Sequence, residues 1–193
     1  MKQFLESQSF LQTILEEAEN NSETAKRSFS TLSESQLNWK PAPEKWSIAQ
    51  CLEHLAVTSN RFDAYFTAAL SRARARWAVS NAVKYKPTLM GGWLARQVHP
   101  ETGRNLRAPK VFRPADTSNI HAALDSFLRE QDRFLDFVRQ SDGIDYNKTR
   151  LRSPVTPLMR YSLADAFVIT VLHGRRHLAQ ARRVPETPGF PSA

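Results

Sequence analysis

The sequence predicts an all-α protein built as a four-helix bundle. Three observations lead there: four long stretches repeat apolar residues every three or four positions, proline- and glycine-rich segments separate them, and almost nothing alternates with the period of a strand. The 193 residues fit one domain, taken as 1–185 with a proline-rich tail at 186–193. A hydrophobic fraction of 41% can fill a core and argues against global disorder.

The first predicted helix runs from about Ser7 to Leu32, with Leu11, Ile14, Leu15, Ala18, Ala25, Phe29 and Leu32 on one stripe. Pro41 and Pro43, between Trp39 and Trp46, end that pattern because each removes a donor and biases its predecessor toward extended backbone. The second helix opens at Ser47, which forms a capping box with Gln50, while Trp46 and Cys51 occupy the positions of a hydrophobic staple. Its stripe continues through Ile48, Leu52, Leu55, Phe62, Phe66 and Ala69 toward Arg76. Residues 77–116 lose the period, hold seven prolines and glycines, and read as a long loop inserted between helices two and three. The third helix is expected from Ser118 to Gln140, ended by Asp142-Gly143, and the fourth from a Ser162/Asp165 cap to Arg183.

The formal net charge of +8 is not evenly spread: residues 72–113 carry ten Lys and Arg against Glu101 alone, so this insertion is strongly basic. With Trp77, Tyr85 and Trp93 interleaved, the segment admits a second reading as a nucleic-acid or anionic-surface binder, but no recognised nucleic-acid motif accompanies it. The lone Cys51 excludes an internal disulfide, the N-terminus lacks the apolar stretch of a secretory signal, and Leu163–Leu172 is too short to span a bilayer. A cytoplasmic protein without a membrane segment is expected.

The histidines carry the candidate chemistry. His173 and His177 lie four apart on the fourth helix, so their rings project from one face and can share a metal; the alternative is a polar pair on a solvated face. Gln180 lies on that same face. His54, two turns into the second helix beside Leu52 and Leu55, reads alone as a satisfied core histidine, yet the second and fourth helices of a bundle can be neighbours. Three neutral imidazoles around one cavity would give a metal site with open positions. Arg61, seven residues after His54, projects from nearly the same face and could bind an anionic group; otherwise it is a surface arginine. His121 with Asp125, and His99 in the basic segment, are further candidates, each with a solvated alternative. Glu53 points about 100° away from His54 around the helix and is a poor ligand. Cys51 is explained by the staple as a buried apolar residue.

Trp46-Ser47 leading into His54, followed by His173-Gly-Arg-Arg-His177-Leu-Ala-Gln180, resembles the DinB/YfiT-like superfamily of bacterial four-helix-bundle metalloproteins. That resemblance implies a divalent ion, zinc or nickel, held by His54, His173 and His177. It implies either transfer of a low-molecular-weight thiol such as bacillithiol or mycothiol, or metal-dependent hydrolysis, acting on a small molecule that the basic segment would favour as an anion. It also implies a homodimer. Gln180 is expected to support the site or to touch the cofactor or substrate. A non-catalytic, metal-stabilised dimeric bundle is the remaining alternative.

Overall fold

The computed structural model describes residues 1–7, 9–79, 83–103, 109–114, 121–154, 156 and 158–192. Its helices are α1 (Lys2–Glu6), α2 (Phe10–Phe29), α3 (Glu34–Asn38), α4 (Ile48–Arg76), α5 (Leu89–Val98), α6 (Ala123–Arg139) and α7 (Leu163–Arg182), and a hairpin of β1 (Arg150–Arg152) and β2 (Arg160–Ser162) precedes α7. The four long helices form a ring in which α4 packs on α6 and α7, and α2 packs on the same two from the other side. Helices α4 and α7 are therefore neighbours, as a site shared between them requires.

Sequence and structure agree most closely where caps fix the ends. Ser47 accepts from the Gln50 amide at 3.1 Å while Gln50 returns its side-chain oxygen to the Ser47 N–H at 3.2 Å, so α4 starts where the capping box places it. Ser162 and Asp165 do the same for α7. The other helices depart from expectation. Ser9 is the N-cap of α2, and the five residues of α1 before it form a separate helix that seats Phe4 in the core. Ala122 adopts a left-handed φ of 51°, which stops α6 from extending upstream of Ala123. The expected start of that helix, at 118–120, lies outside the described residues.

Two elements correct the sequence reading. The segment read as a loop contains α5, opened by Thr88, whose hydroxyl accepts from the Gly91 amide at 3.0 Å. Adjacent glycines disguised it, and Gly91 has a packing role: a Cβ there would collide with the Asp165 side chain on α7. The hairpin was also missed, because strands of three residues are too short to display a period. It pairs Arg150 with Ser162, Leu151 with Tyr161 and Arg152 with Arg160.

Asp165 ties these additions to the bundle. Fully buried, it accepts from Tyr85 Oη at 2.8 Å, from Thr88 through its hydroxyl at 2.8 Å and its amide at 3.3 Å, and from Ser162 through its hydroxyl at 2.8 Å and its amide at 3.0 Å. A buried carboxylate without such donors would be strongly unfavourable. Here one side chain caps α7, holds β2 against it and docks α5.

The core has two apolar clusters. One gathers Phe66, Phe134, Phe167 and Leu172 with Phe4, Phe10 and Tyr161; the other gathers Phe29, Leu52, Leu55, Phe127 and Leu178 at the opposite end of the bundle. Cys51 is buried in the second, and burial pushes its thiol up to about 12, so it packs as an apolar residue.

The docking of α5 makes a paired prediction. Gly91→Ala should cost about 1–3 kcal/mol through overpacking against Asp165. Gly92→Ala, whose Cβ would meet only Pro87 at an ordinary 3.5 Å among its nearest rigid neighbours, should be neutral or stabilise through helix propensity. Urea denaturation of both variants checks this, and equal effects would contradict the docking geometry.

Candidate metal centre

His54 projects from the second turn of α4 and is 3% exposed; His173 and His177 project from α7, one turn apart, and are part-buried. Their ring centroids lie 5.0 Å (His54–His173), 4.6 Å (His54–His177) and 4.6 Å (His173–His177) apart. One nitrogen from each ring can be chosen so that all three lie within 4.8 Å of one another. Among the described residues, this is the only group of three or more His, Cys, Asp or Glu side chains with metal-holding geometry.

Hydrogen bonds select which nitrogen faces inward. His54 Nδ1 lies 2.5 Å from the Phe112 carbonyl oxygen, which can only accept, so Nδ1 carries the proton and Nε2 is a bare lone pair. His177 Nδ1 likewise donates to Gln180 Oε1 at 3.0 Å, which frees its Nε2. His54 Nε2 sits 3.2 Å from His173 Nε2. Two nitrogens bound to a tetrahedral zinc at about 2.0–2.1 Å would be separated by about 3.3 Å, so the spacing fits a shared ion. The donor set fits a borderline divalent cation as well: three neutral imidazoles, two oriented by an oxygen on the far side of the ring.

The surroundings keep the rings uncharged. Burial pushes His54 below its ordinary value, partly opposed by the Phe112 carbonyl. Burial also holds His173 well below 6.5, with the neighbouring His177 and His54 adding to the effect. His177 falls to about 3, again first through burial and then through His54, against the opposing hydrogen bond to Gln180. Trp46 closes one side, its ring centroid 4.9 Å from His54 and 5.6 Å from His177. On another side a cavity of about 30 Å³, bordered by Thr58, Ser59, Gln131, Thr170 and His173, has room for about two waters.

The remaining candidates fall elsewhere. Gln180 is at the site through His177. Arg61 is exposed and lies over the Phe112 ring at 5.8 Å to the centroid, so it braces the residue whose carbonyl orients His54. His99 follows α5 and accepts through its carbonyl from Arg176 at 3.2 Å, with its ring outside the cluster. His121 precedes α6 and lies on the surface 3.6 Å from Glu34, so it is neither on the third helix nor a ligand of the cluster. Glu53 is not among the cluster's donors. Arg104 and Arg107 of the basic segment lie outside the described residues, as does the Lys110 side chain. Sequence reasoning missed Phe112 and the wall formed by Trp46. Phe112 acts through its backbone, which leaves no residue signature, whereas the position of Trp46 just before the capping box was a usable signal.

Neutral histidines fix how the metal-free protein responds to acid. Each imidazole is protonated in the unfolded chain below about pH 6.5 but stays neutral in the fold, so its contribution is present above pH 6.5 and fades as pH falls toward the folded value. With chelator present, stability should drop by about 1.4 kcal/mol per pH unit for each such histidine below pH 6. Urea titrations between about pH 7 and 4 should show a shallower slope for His177→Gln; an identical slope would contradict the neutral cluster.

Comparison with known proteins agrees with this picture. Among solved structures, YfiT from Bacillus subtilis, described as a probable metal-dependent hydrolase with an unusual four-helix bundle topology, aligns with a TM-score of 0.59 at 16% identity, covering 96% of this chain and 91% of that one. No curated protein matches the sequence significantly. Residues 15–181 match the DinB superfamily, a span that includes all three histidines and the four long helices apart from their outermost residues, and the chain therefore belongs to that superfamily.

Proposed function

We propose that this protein is a divalent-metal-dependent enzyme in which His54, His173 and His177 hold one zinc or nickel ion and a small molecule reacts beside it. The observation that carries the reading is the convergence of three uncharged imidazoles, two of them turned with Nε2 inward by Phe112 and Gln180. When bound, such an ion supplies a Lewis-acid centre that lowers the pKa of a nearby water or thiol and leaves coordination positions for it. Without a cation, His54 Nε2 and His173 Nε2 lie 3.2 Å apart, and a proton on His173 Nε2 donates to the His54 lone pair.

The chain's own residues then orient and enclose. Gln180 fixes the His177 ring, the Phe112 carbonyl fixes His54, and Trp46 excludes water from one flank. Arg61, over the Phe112 ring, is assigned the attraction of an anionic substrate group in this reading. Between the two nucleophiles we favour a low-molecular-weight thiol, which must come from outside because the buried Cys51, held at about 12, provides none at neutral pH. The superfamily resemblance supports the thiol, and the YfiT description supports water. We extend the reading to a homodimer, for which the exposed Leu89, Met90 and Trp93 of α5 supply an apolar face.

Activity separates the branches. Protein loaded with zinc or nickel should conjugate bacillithiol or mycothiol to 1-chloro-2,4-dinitrobenzene, with at least about a 100-fold loss in His173→Ala and about a tenfold loss in Gln180→Leu. Metal-dependent hydrolysis of 4-nitrophenyl acetate without thiol would assign the site to water instead. Turnover of either substrate that is equal in wild type and His173→Ala would overturn the enzymatic reading.

A further inference from the structure

The far end of α4 carries a second concavity that owes nothing to the histidines. Arg72 and His54 are 18 residues apart on one helix, about 27 Å along its axis. There a pocket of about 570 Å³ is lined by Arg72 of α4, by Arg150 and Arg152 of β1, by Arg160 of β2, and by Tyr65, Ala64, Ala68 and Leu151. Its volume lies in the range of small-molecule sites.

The strand period explains how the arginines come together. Leu151 and Tyr161 are buried, so Arg150, Arg152 and Arg160 must face outward on the other side of the hairpin. Arg152 and Arg160 are direct cross-strand partners, a like-charge pairing that destabilises a hairpin. Ala68 and Ala64 lie one and two turns before Arg72, and their short side chains leave the space that the four guanidinium groups surround.

Among the described residues, Arg72, Arg150, Arg152 and Arg160 form no ion pair, whereas Arg133, Arg139 and Arg175 each meet a carboxylate. Four planar, permanently charged donors around a cavity without a carboxylate match adjacent phosphate groups, which guanidinium binds in a bidentate manner. Tyr65 and Leu151 add a ring face and an apolar wall, which suits an organic substituent.

We propose that this pocket binds a soluble small molecule bearing a diphosphate, at a site separate from the candidate metal centre. A half-open pocket of this size, with its four arginines gathered around one concavity, favours a compact ligand over a nucleic-acid backbone, which would need a continuous basic track.

Calorimetric titration with inorganic pyrophosphate at low salt, using the full chain, tests the proposal. The expected result is saturable one-to-one binding, weakened at least about tenfold in Arg152→Gln/Arg160→Gln and unchanged in His173→Ala, with orthophosphate at least about tenfold weaker in wild type. Arg72→Gln, on the exposed face of α4, provides a second loss of affinity that does not depend on the hairpin. Absence of saturable binding up to about 5 mM, or affinity unchanged from wild type in the Arg72 and double variants, would overturn it. So would tighter binding of a single-stranded oligonucleotide at the same arginines, which would make the surface a nucleic-acid track.

Discussion

Three imidazoles can be packed into the seam between α4 and α7 only while they remain uncharged, and much of the molecule follows from that constraint. Each ring projects where the two apolar clusters meet, with Leu52 and Leu55 on one helix and Leu172 and Leu178 on the other. In a position so withdrawn from bulk water a protonated ring would be penalised, and burial is the largest cause of the lowered affinity of all three for protons. His54 presents its Nε2 lone pair to His173 Nε2 at 3.2 Å, a position that a shared cation or a proton on His173 satisfies. The four-helix frame sets their separation, while a backbone carbonyl and a glutamine amide set their rotation.

The rest of the fold depends on a second polar node of opposite character. Asp165 is buried and accepts from Tyr85, Thr88 and Ser162, so it joins α5, the hairpin and the start of α7. It lies two turns before His173 on the same helix. Anchoring the N-terminal end of α7 in this way limits rotation of the helix about its own axis, and rotation would carry His173 and His177 away from His54. Fold and candidate site are therefore linked through α7, while the segment carrying Phe112 adds the carbonyl that orients His54.

Much of this was legible in the sequence because it is written in periodic or locally encoded features. The boxes at Ser47 and Ser162 mark two helix starts, and the four-residue spacing of His173 and His177 places them on one face. What escaped depends on long-range contact. Phe112 contributes a carbonyl, and Gly91 looks like a loop residue until Asp165 is seen against it. Charge was misleading for a related reason. Counting along the chain concentrates the basic excess in residues 72–113, while Arg150, Arg152 and Arg160 fall in a stretch whose acidic residues balance them in number but do not line the pocket.

Metal content measures the central claim most directly. Protein purified without an affinity tag and incubated with zinc or nickel, under conditions where the helical fold is intact, should retain about one ion per chain by elemental analysis, and a His54→Ala/His173→Ala variant should retain none. Less than about 0.1 ion per chain in the folded wild-type protein would contradict a metal site built from His54, His173 and His177.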